Sequence, residues 1–159
     1  MSVSEMNRRE LKFGDMDEIV AEVEQLAAGE VTTSGQHTFT EIVEHLALTH
    51  DMTTGKLQGP KPPWFIKLLM PFMKGSILND KPLKPGFKLP PKAEAFFWPK
   101  KEQSLDDAIQ HLKESVENYK KNGPLEKHPM FGKITKEQNL QMNLRHAALH
   151  LGFVHSQSA

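Results

Sequence analysis

Four amphipathic segments constrain the fold of this chain most, because each starts directly after a residue that suits the N-cap of a helix. These caps are Asp15, Thr38, Ser104 and Thr135. An oxygen at that position accepts a hydrogen bond from a free N–H of the first turn. Behind each cap, apolar residues recur at spacings of three and four, as in a helix with one buried face. With no convincing strand pattern, the sequence predicts an all-α protein that folds as a four-helix bundle.

A long connector separates the second segment from the third. It spans about 40 residues, from Pro60 to Pro99, and holds nine of the 11 prolines. Its many aromatic residues favour packing over disorder. We expect a short helix in "WFIKLLMPFMKG", interrupted at Pro71. The connector is interpreted either as a crossover that covers one end of the bundle or as a wall that also supplies lysines to an anionic substrate.

Size and composition restrict the class of protein. A chain of 159 residues suits one hydrophobic core, so we expect a single domain over residues 1–159. The lack of cysteine excludes disulfides, zinc–thiolate sites and cysteine nucleophiles. The first residues form no apolar signal segment, and no run approaches the roughly 20 apolar residues of a membrane span. We therefore expect a cytoplasmic location.

Charge is zero overall but unevenly distributed. Residues 61–101 hold nine lysines and only two acidic side chains, Asp80 and Glu94. Such a segment attracts anions. Arginines are few and nucleic-acid motifs are absent, so we expect no nucleic-acid partner. We also expect no membrane partner, although contact of "FIKLLMPFMK" with a membrane surface is a minor alternative that predicts liposome binding sensitive to salt.

Three histidines fall on predicted inward faces of two helices. His146 and His150 are four residues apart and therefore project side by side. That spacing is a common two-ligand arrangement for a divalent ion. His45 lies beside the apolar stripe of the second segment, so a bundle would bring all three imidazoles together. Three ligands would leave open metal positions, as in catalytic sites. The alternative is that these are core or rim histidines without a metal.

The other five histidines are expected outside this cluster. His50 and His155 each follow a candidate ligand by five residues, about 140° around a helix. His111 is flanked by polar residues and is interpreted as solvated surface. His37 precedes the second helix and is expected at its mouth. His128 begins "HPMFG", which favours simple turn chemistry over a place at the rim of the site.

Taken together, "FTEIVEHLALTH", "HPMFGKIT" and "QMNLRHAALHLGFV" resemble the DinB-like superfamily of four-helix bundles, most closely a branch of unknown function. The resemblance covers nearly the whole chain. It implies a divalent metal (zinc, nickel or iron) held by His45, His146 and His150, and it implies a homodimer. Relatives include thiol-dependent transferases and isomerases, as well as metal hydrolases. Where relatives often carry Trp before the second helix, this chain has His37.

Two more residues are candidates for catalysis. Glu41 lies one turn before His45 and is either a base or the capping partner of Thr38. Asn143 lies one turn before His146, where it could orient water or a ligand. The leading hypothesis is a metal-dependent hydrolase or thiol-dependent transferase that acts on a small, possibly anionic molecule. The alternative is a non-catalytic bundle that binds a ligand or partner, with structural or vestigial histidines.

Overall fold

A computed structural model describes residues 7–86 and 88–157 of the chain. The described residues form six helices and four short strands. The helices are α1 (Met16–Ala27), α2 (Phe39–Thr54), α3 (Trp64–Ile77), α4 (Pro91–Phe97), α5 (Leu105–Asn122) and α6 (Lys136–Leu151). The strands are β1 (Val31–Thr33), β2 (Lys127–His128), β3 (Gly132–Lys133) and β4 (Val154–Ser156). The prediction of a mostly helical protein is confirmed. The chain has two helices beyond the four predicted for the bundle, of which only α3 was expected, and the prediction of no strand is wrong.

The four predicted amphipathic segments are α1, α2, α5 and α6, and all four predicted caps are present. Asp15, Thr38, Ser104 and Thr135 each accept a hydrogen bond from the backbone N–H three residues later. Thr38 and Thr135 belong to complete capping boxes, in which the third residue bonds back to the cap. Local sequence therefore sets where these helices start.

One hydrophobic core joins these four helices. Their apolar stripes pack against one another, and Ile19, Leu46, Leu112 and Leu151 are all fully buried in it. Trp98, near the C-terminal end of the connector, is also part of this core. The connector thus packs onto the helices at its C-terminal end, as its aromatic content predicts.

Both additional helices, α3 and α4, lie in the connector. The predicted interruption at Pro71 does not occur, because α3 continues through it to Ile77. Proline removes the hydrogen bond to the carbonyl four residues earlier, which belongs to Lys67. Both residues are exposed, so this carbonyl has access to water. Among the described residues, no helix combines the length and the apolar character that crossing a membrane requires.

Two small antiparallel pairs account for the strands. β1 pairs with β4, so the segment after α1 is joined to the segment after α6. Arg9 reinforces this junction by donating from Nε to the carbonyl of Val154 at 2.6 Å. β2 and β3 form a hairpin in which Gly132 has φ of 68°, a conformation that favours glycine. Strands of two or three residues are too short to show an alternating pattern, so they could not be predicted from the sequence.

Candidate metal centre

Helices α2 and α6 bring His45, His146 and His150 together. The Nε2 atom of His146 lies 3.2 Å from Nε2 of His45 and 3.1 Å from Nε2 of His150. The three ligand atoms all lie within 4.8 Å of one another. His45 is buried, whereas His146 and His150 each keep part of their surface exposed. The cluster expected from the sequence therefore exists, and it is half-buried on its α6 side.

A backbone carbonyl fixes the orientation and tautomer of His45. Nδ1 of His45 lies 2.9 Å from the carbonyl oxygen of Phe97, at the end of α4. A carbonyl only accepts, so Nδ1 carries the proton and Nε2 of neutral His45 holds a free lone pair. This lone pair is directed at His146. A carbonyl bonded to the second ring nitrogen is the usual support of a metal-ligating histidine.

The close contacts between the three imidazoles cannot all be hydrogen bonds. His45 offers a lone pair at Nε2, so only His146 can donate a proton across the 3.2 Å contact. That single proton cannot also point along the 3.1 Å contact to His150. Three converging nitrogens with too few protons between them suit a shared cation. The donor set fits a divalent metal, because neutral imidazole is among its commonest ligands.

Burial keeps the three imidazoles neutral. It is the main cause that lowers the pKa of His45 and of His150 well below the ordinary value, and the neighbouring histidines lower both further. Burial also lowers the pKa of His146 to about 4. A metal competes with protons for the same lone pairs. The environment therefore leaves these nitrogens free to bind a metal at neutral pH.

Trp98 forms one wall of the cluster. Its ring lies 3.8 Å from the ring of His45 and 3.6 Å from that of His37, and both pairs are nearly parallel. If both imidazoles lay on the same side of the indole at these distances, they would occupy the same space. His37 and His45 therefore lie on opposite faces of Trp98, with the indole between them. The indole limits the rotation of His45 and excludes water from one side of it.

Comparison with protein families supplies one match. The model of a family described as "Protein of unknown function (DUF1569)" matches residues 5–157. This chain belongs to the DUF1569 family. No match was found among curated proteins or among solved structures. The expectation of a family of unknown function is thereby confirmed, while a place in the DinB-like superfamily stays a prediction.

In this DUF1569 protein, Glu41 occupies its capping position. Its Oε2 accepts from the backbone N–H of Thr38 at 3.3 Å and lies 3.3 Å from Nδ1 of His37, while Lys100 is 3.8 Å from Oε1. Glu41 also lines a cavity of about 360 Å³ beside Trp98. The capping alternative is therefore present in the structure, and a role as a base stays a prediction.

Asn143 is buried one turn before His146, but its amide group is directed along α6. Its Nδ2 donates to the backbone and side-chain oxygens of Asn139, at 2.9 and 2.8 Å. Asn139 in turn accepts from the hydroxyl of Tyr119 and donates to Thr53. The contacts of Asn143 are those of a buried polar network between helices. A role for Asn143 in orienting water or a ligand stays a prediction.

His111 is not the solvated surface residue expected from the sequence. It bridges two buried carboxylates of α2, with Nδ1 2.9 Å from Oε2 of Glu44 and Nε2 2.6 Å from Oδ2 of Asp51. These bonds, first to Asp51 and then to Glu44, raise the pKa of His111 to about 9. A sign of this network was readable. Glu44 and Asp51 are seven residues apart and therefore lie on one side of α2.

The remaining histidines lie outside the cluster, as expected. His50 is fully buried, and its Nδ1 is 3.1 Å from Oγ of Ser115. His128 accepts at Nδ1 from the N–H groups of Met130 and Phe131, which confirms turn chemistry for "HPMFG". His155 lies on β4 and is 3.2 Å from Oγ of Ser34. Sequence reasoning missed Phe97 and Trp98 as parts of the site, because neither has a spacing relation to His45.

Proposed function

We propose that this protein binds one divalent metal ion through His45, His146 and His150 and is a metal-dependent enzyme that acts on a small molecule. The observation that carries the proposal is the convergence of three Nε2 atoms at separations of 3.1 and 3.2 Å. Metal–nitrogen distances of about 2.0–2.1 Å place tetrahedral ligands about 3.3 Å apart. Two of the three separations therefore suit one ion, and the third, between His45 and His150, is no more than 4.8 Å. Zinc, nickel and iron are all compatible with an imidazole set.

A divalent metal held only by neutral imidazoles keeps its full charge, so it acidifies water or a thiol and polarises a carbonyl group. The chain contributes the geometry. The carbonyl of Phe97 holds His45 in the correct tautomer, and Trp98 keeps water from one face of it. His146 and His150 leave the other side open to a substrate. Hydrolysis and thiol-dependent transfer are the two reaction classes that we propose.

Substrate size and charge are supported by different features. The cavity beside Trp98, of about 360 Å³, has the volume of a small-molecule site, although none of the three histidines lines it. Lys101 reaches this cavity from the basic segment, but its ammonium group pairs with Glu44 at 2.9 Å. An anionic substrate would need Lys101 to exchange that partner. Glu41 would likewise have to leave the cap of α2 to accept a proton.

We extend the proposal to the architecture and setting expected from the resemblance. Four capped helices that share one core support a DinB-like four-helix bundle, with α3 and α4 as additions in its crossover. A homodimer and a cytoplasmic location remain predictions that accompany this proposal.

The test is elemental analysis of protein purified without an affinity tag. We expect about one divalent metal per chain, and none in His146→Ala/His150→Ala. His155→Ala is the matched control, because that imidazole lies on β4 away from the cluster. Added metal should also raise the melting temperatures of the wild type and of His155→Ala, but not that of the double variant, since binding to the folded state stabilises it. Absence of metal from the wild type, even after incubation with zinc, nickel or iron, would overturn the site.

A second experiment separates metal binding from catalysis. Metal-loaded protein is assayed with small esters and with low-molecular-weight thiols and their electrophilic acceptors, beside the double variant. Turnover that depends on the histidines supports the enzyme. A loaded site with no turnover on either class favours the non-catalytic alternative instead.

A further inference from the structure

One face of α3 exposes a row of large apolar side chains. The exposed fractions are 77% for Trp64, 49% for Phe65, 66% for Leu68, 49% for Leu69 and 84% for Phe72. Monomeric proteins rarely expose apolar side chains in one continuous patch unless it contacts a partner. This patch, hereafter the α3 apolar face, is not explained by the proposed metal site.

The arrangement around the helix explains the exposure. At 100° per residue, the five side chains fall within an arc of about 140°. The opposite side holds Met70, which is buried, and Ile66, Met73 and Ile77, which are half-buried. Helix α3 is therefore apolar nearly all round, although helices of this kind are normally covered on every side. Half of α3 packs on the protein, and half has no cover within the described residues.

The direction of the α3 apolar face is fixed by polar contacts at the C-terminal end of the helix. Nζ of Lys74 donates to the carbonyl of Lys133 at 2.6 Å. Arg145 donates from Nη1 to the carbonyl of Ile77 at 2.8 Å and from Nε to that of Lys81 at 2.7 Å. These bonds tie α3 to β3 and α6, so its apolar face is held outward.

The charged residues near the α3 apolar face indicate which kind of surface it binds. Residues 61–79 include Lys61, Lys67 and Lys74 and no acidic residue. Pairing of two copies through this face would offer the exposed Lys61 and Lys67 no acidic partner from the same segment of the second copy. An anionic surface would instead complement the lysines while accepting the apolar side chains. From this combination we propose that α3 docks the protein onto a membrane surface that contains anionic lipid.

The dimensions of α3 determine how it would lie. Its 14 residues extend about 21 Å, less than the roughly 30 Å hydrocarbon core of a bilayer. The helix therefore rests in the plane of the interface, with its aromatic and leucine side chains inserted and the exposed Lys61 and Lys67 at the headgroups. This departs from the expectation of no membrane partner, because the sequence does not show which side of α3 is covered.

The experiment is co-sedimentation of the full chain with vesicles of phosphatidylcholine, with and without about one-third phosphatidylglycerol, at low and high salt. We expect binding to the anionic vesicles only, weakening as salt is raised. Leu68→Glu/Phe72→Glu should reduce binding at least about tenfold, because it places charge on the inserted face. Lys67→Gln should reduce binding about fivefold, since one juxtamembrane charge contributes that much. Tryptophan emission should shift to the blue on binding, and Trp64→Phe should abolish the shift because Trp98 is already buried.

Two controls match the variants in chemistry but not in place. Leu125→Glu changes an exposed leucine outside α3, and Lys121→Gln removes an exposed lysine on α5. Both should bind vesicles as the wild type does, and circular dichroism should show every variant folded. Lack of vesicle binding, or binding that the α3 variants leave unchanged, would overturn the proposal. A dimer dissociated by Leu68→Glu/Phe72→Glu, without vesicle binding, would assign the face to a second copy and equally overturn it.

Discussion

Two clusters of ionisable side chains begin on neighbouring residues of α2 and differ in almost every property. His45 faces two further imidazoles and an indole, whereas Glu44, together with Asp51, faces His111 of α5. Consecutive helix residues point about 100° apart, so one short stretch serves two separate networks. We call them the imidazole cluster (His45, His146 and His150) and the carboxylate cluster (Glu44, Asp51 and His111).

The comparison shows that neighbours, and not the side chain itself, decide the charge of a histidine. In the imidazole cluster, burial without a carboxylate lowers each pKa and keeps the rings neutral. In the carboxylate cluster, two acceptors raise the pKa of His111 to about 9. Burial alone would raise the pKa of Glu44, but bonds from His111 and Lys101 outweigh it and lower that pKa. The first cluster is thus suited to a metal, and the second is a buried ion pair that joins α2 to α5.

The largest effect is expected from removing a partner of the buried ion pair. Glu44→Ala leaves His111 with one carboxylate, and we expect the free energy of unfolding to fall by about 3 kcal/mol. Urea denaturation measures this change. Glu114→Ala, an exposed carboxylate of α5, should change stability by less than about 0.5 kcal/mol. Metal content should be the same in both variants, and loss of metal from folded Glu44→Ala would show that the clusters are coupled.

A substitution in the imidazole cluster should lower metal affinity more than it lowers the stability of the fold. His45→Gln removes one of three proposed ligands, and we expect affinity to fall at least about a hundredfold, or about 2.7 kcal/mol. Isothermal titration calorimetry with zinc measures the loss. His155→Gln is the control and should titrate as the wild type does. Unchanged affinity in His45→Gln would remove His45 from the site.

Stability measured over a series of pH values tests the carboxylate cluster without any metal. The folded pKa of His111 lies above its ordinary value of 6.5, at about 9. Its stabilisation is therefore complete below pH 6.5 and is lost as pH rises through 9. After allowance for solvent screening we expect a loss on the order of 2 kcal/mol. His111→Gln should be less stable at pH 6.5 but flatter up to pH 9. A wild type and variant with parallel profiles would contradict the charged His111.

The smallest predicted effect concerns the support of the imidazole cluster. Trp98→Phe keeps a ring against His45 but loses part of the stack, and we expect metal affinity to fall about tenfold. Trp64→Phe is the matched control, because Trp64 is exposed on α3. Competition with a metal-binding dye measures both. Equal affinities in the two variants would indicate that Trp98 packs the core without positioning His45.

Features set by nearby residues could be predicted from the sequence. Thr38 and Thr135 marked the starts of α2 and α6, because a capping oxygen and its partner are three residues apart. His146 and His150 were paired correctly, because residues four apart share a helix face. Adding His45 needed the further assumption that α2 and α6 pack together. That assumption holds in the structure.

Features set by distant residues could not be predicted in the same way. His111 was misread, because its carboxylate partners lie on another helix, 67 and 60 positions away. Trp98 and the carbonyl of Phe97 reach His45 only through the fold of the connector. The apolar pattern of α3 was visible in the sequence, but which half of the helix is covered depends on how the connector packs against the rest of the chain.

By itself, the sequence determined where the four capped helices begin, which residues share a face, and that histidines from two helices are available as ligands. Only the tertiary structure decided that three Nε2 atoms converge, that His111 lies between two carboxylates, and that α3 presents apolar side chains outward. The physical reason is the distance along the chain over which the deciding interactions act. Caps and helical periodicity depend on hydrogen bonds and rotations within one turn, whereas convergence, pKa and exposure depend on packing between segments that are far apart in the chain.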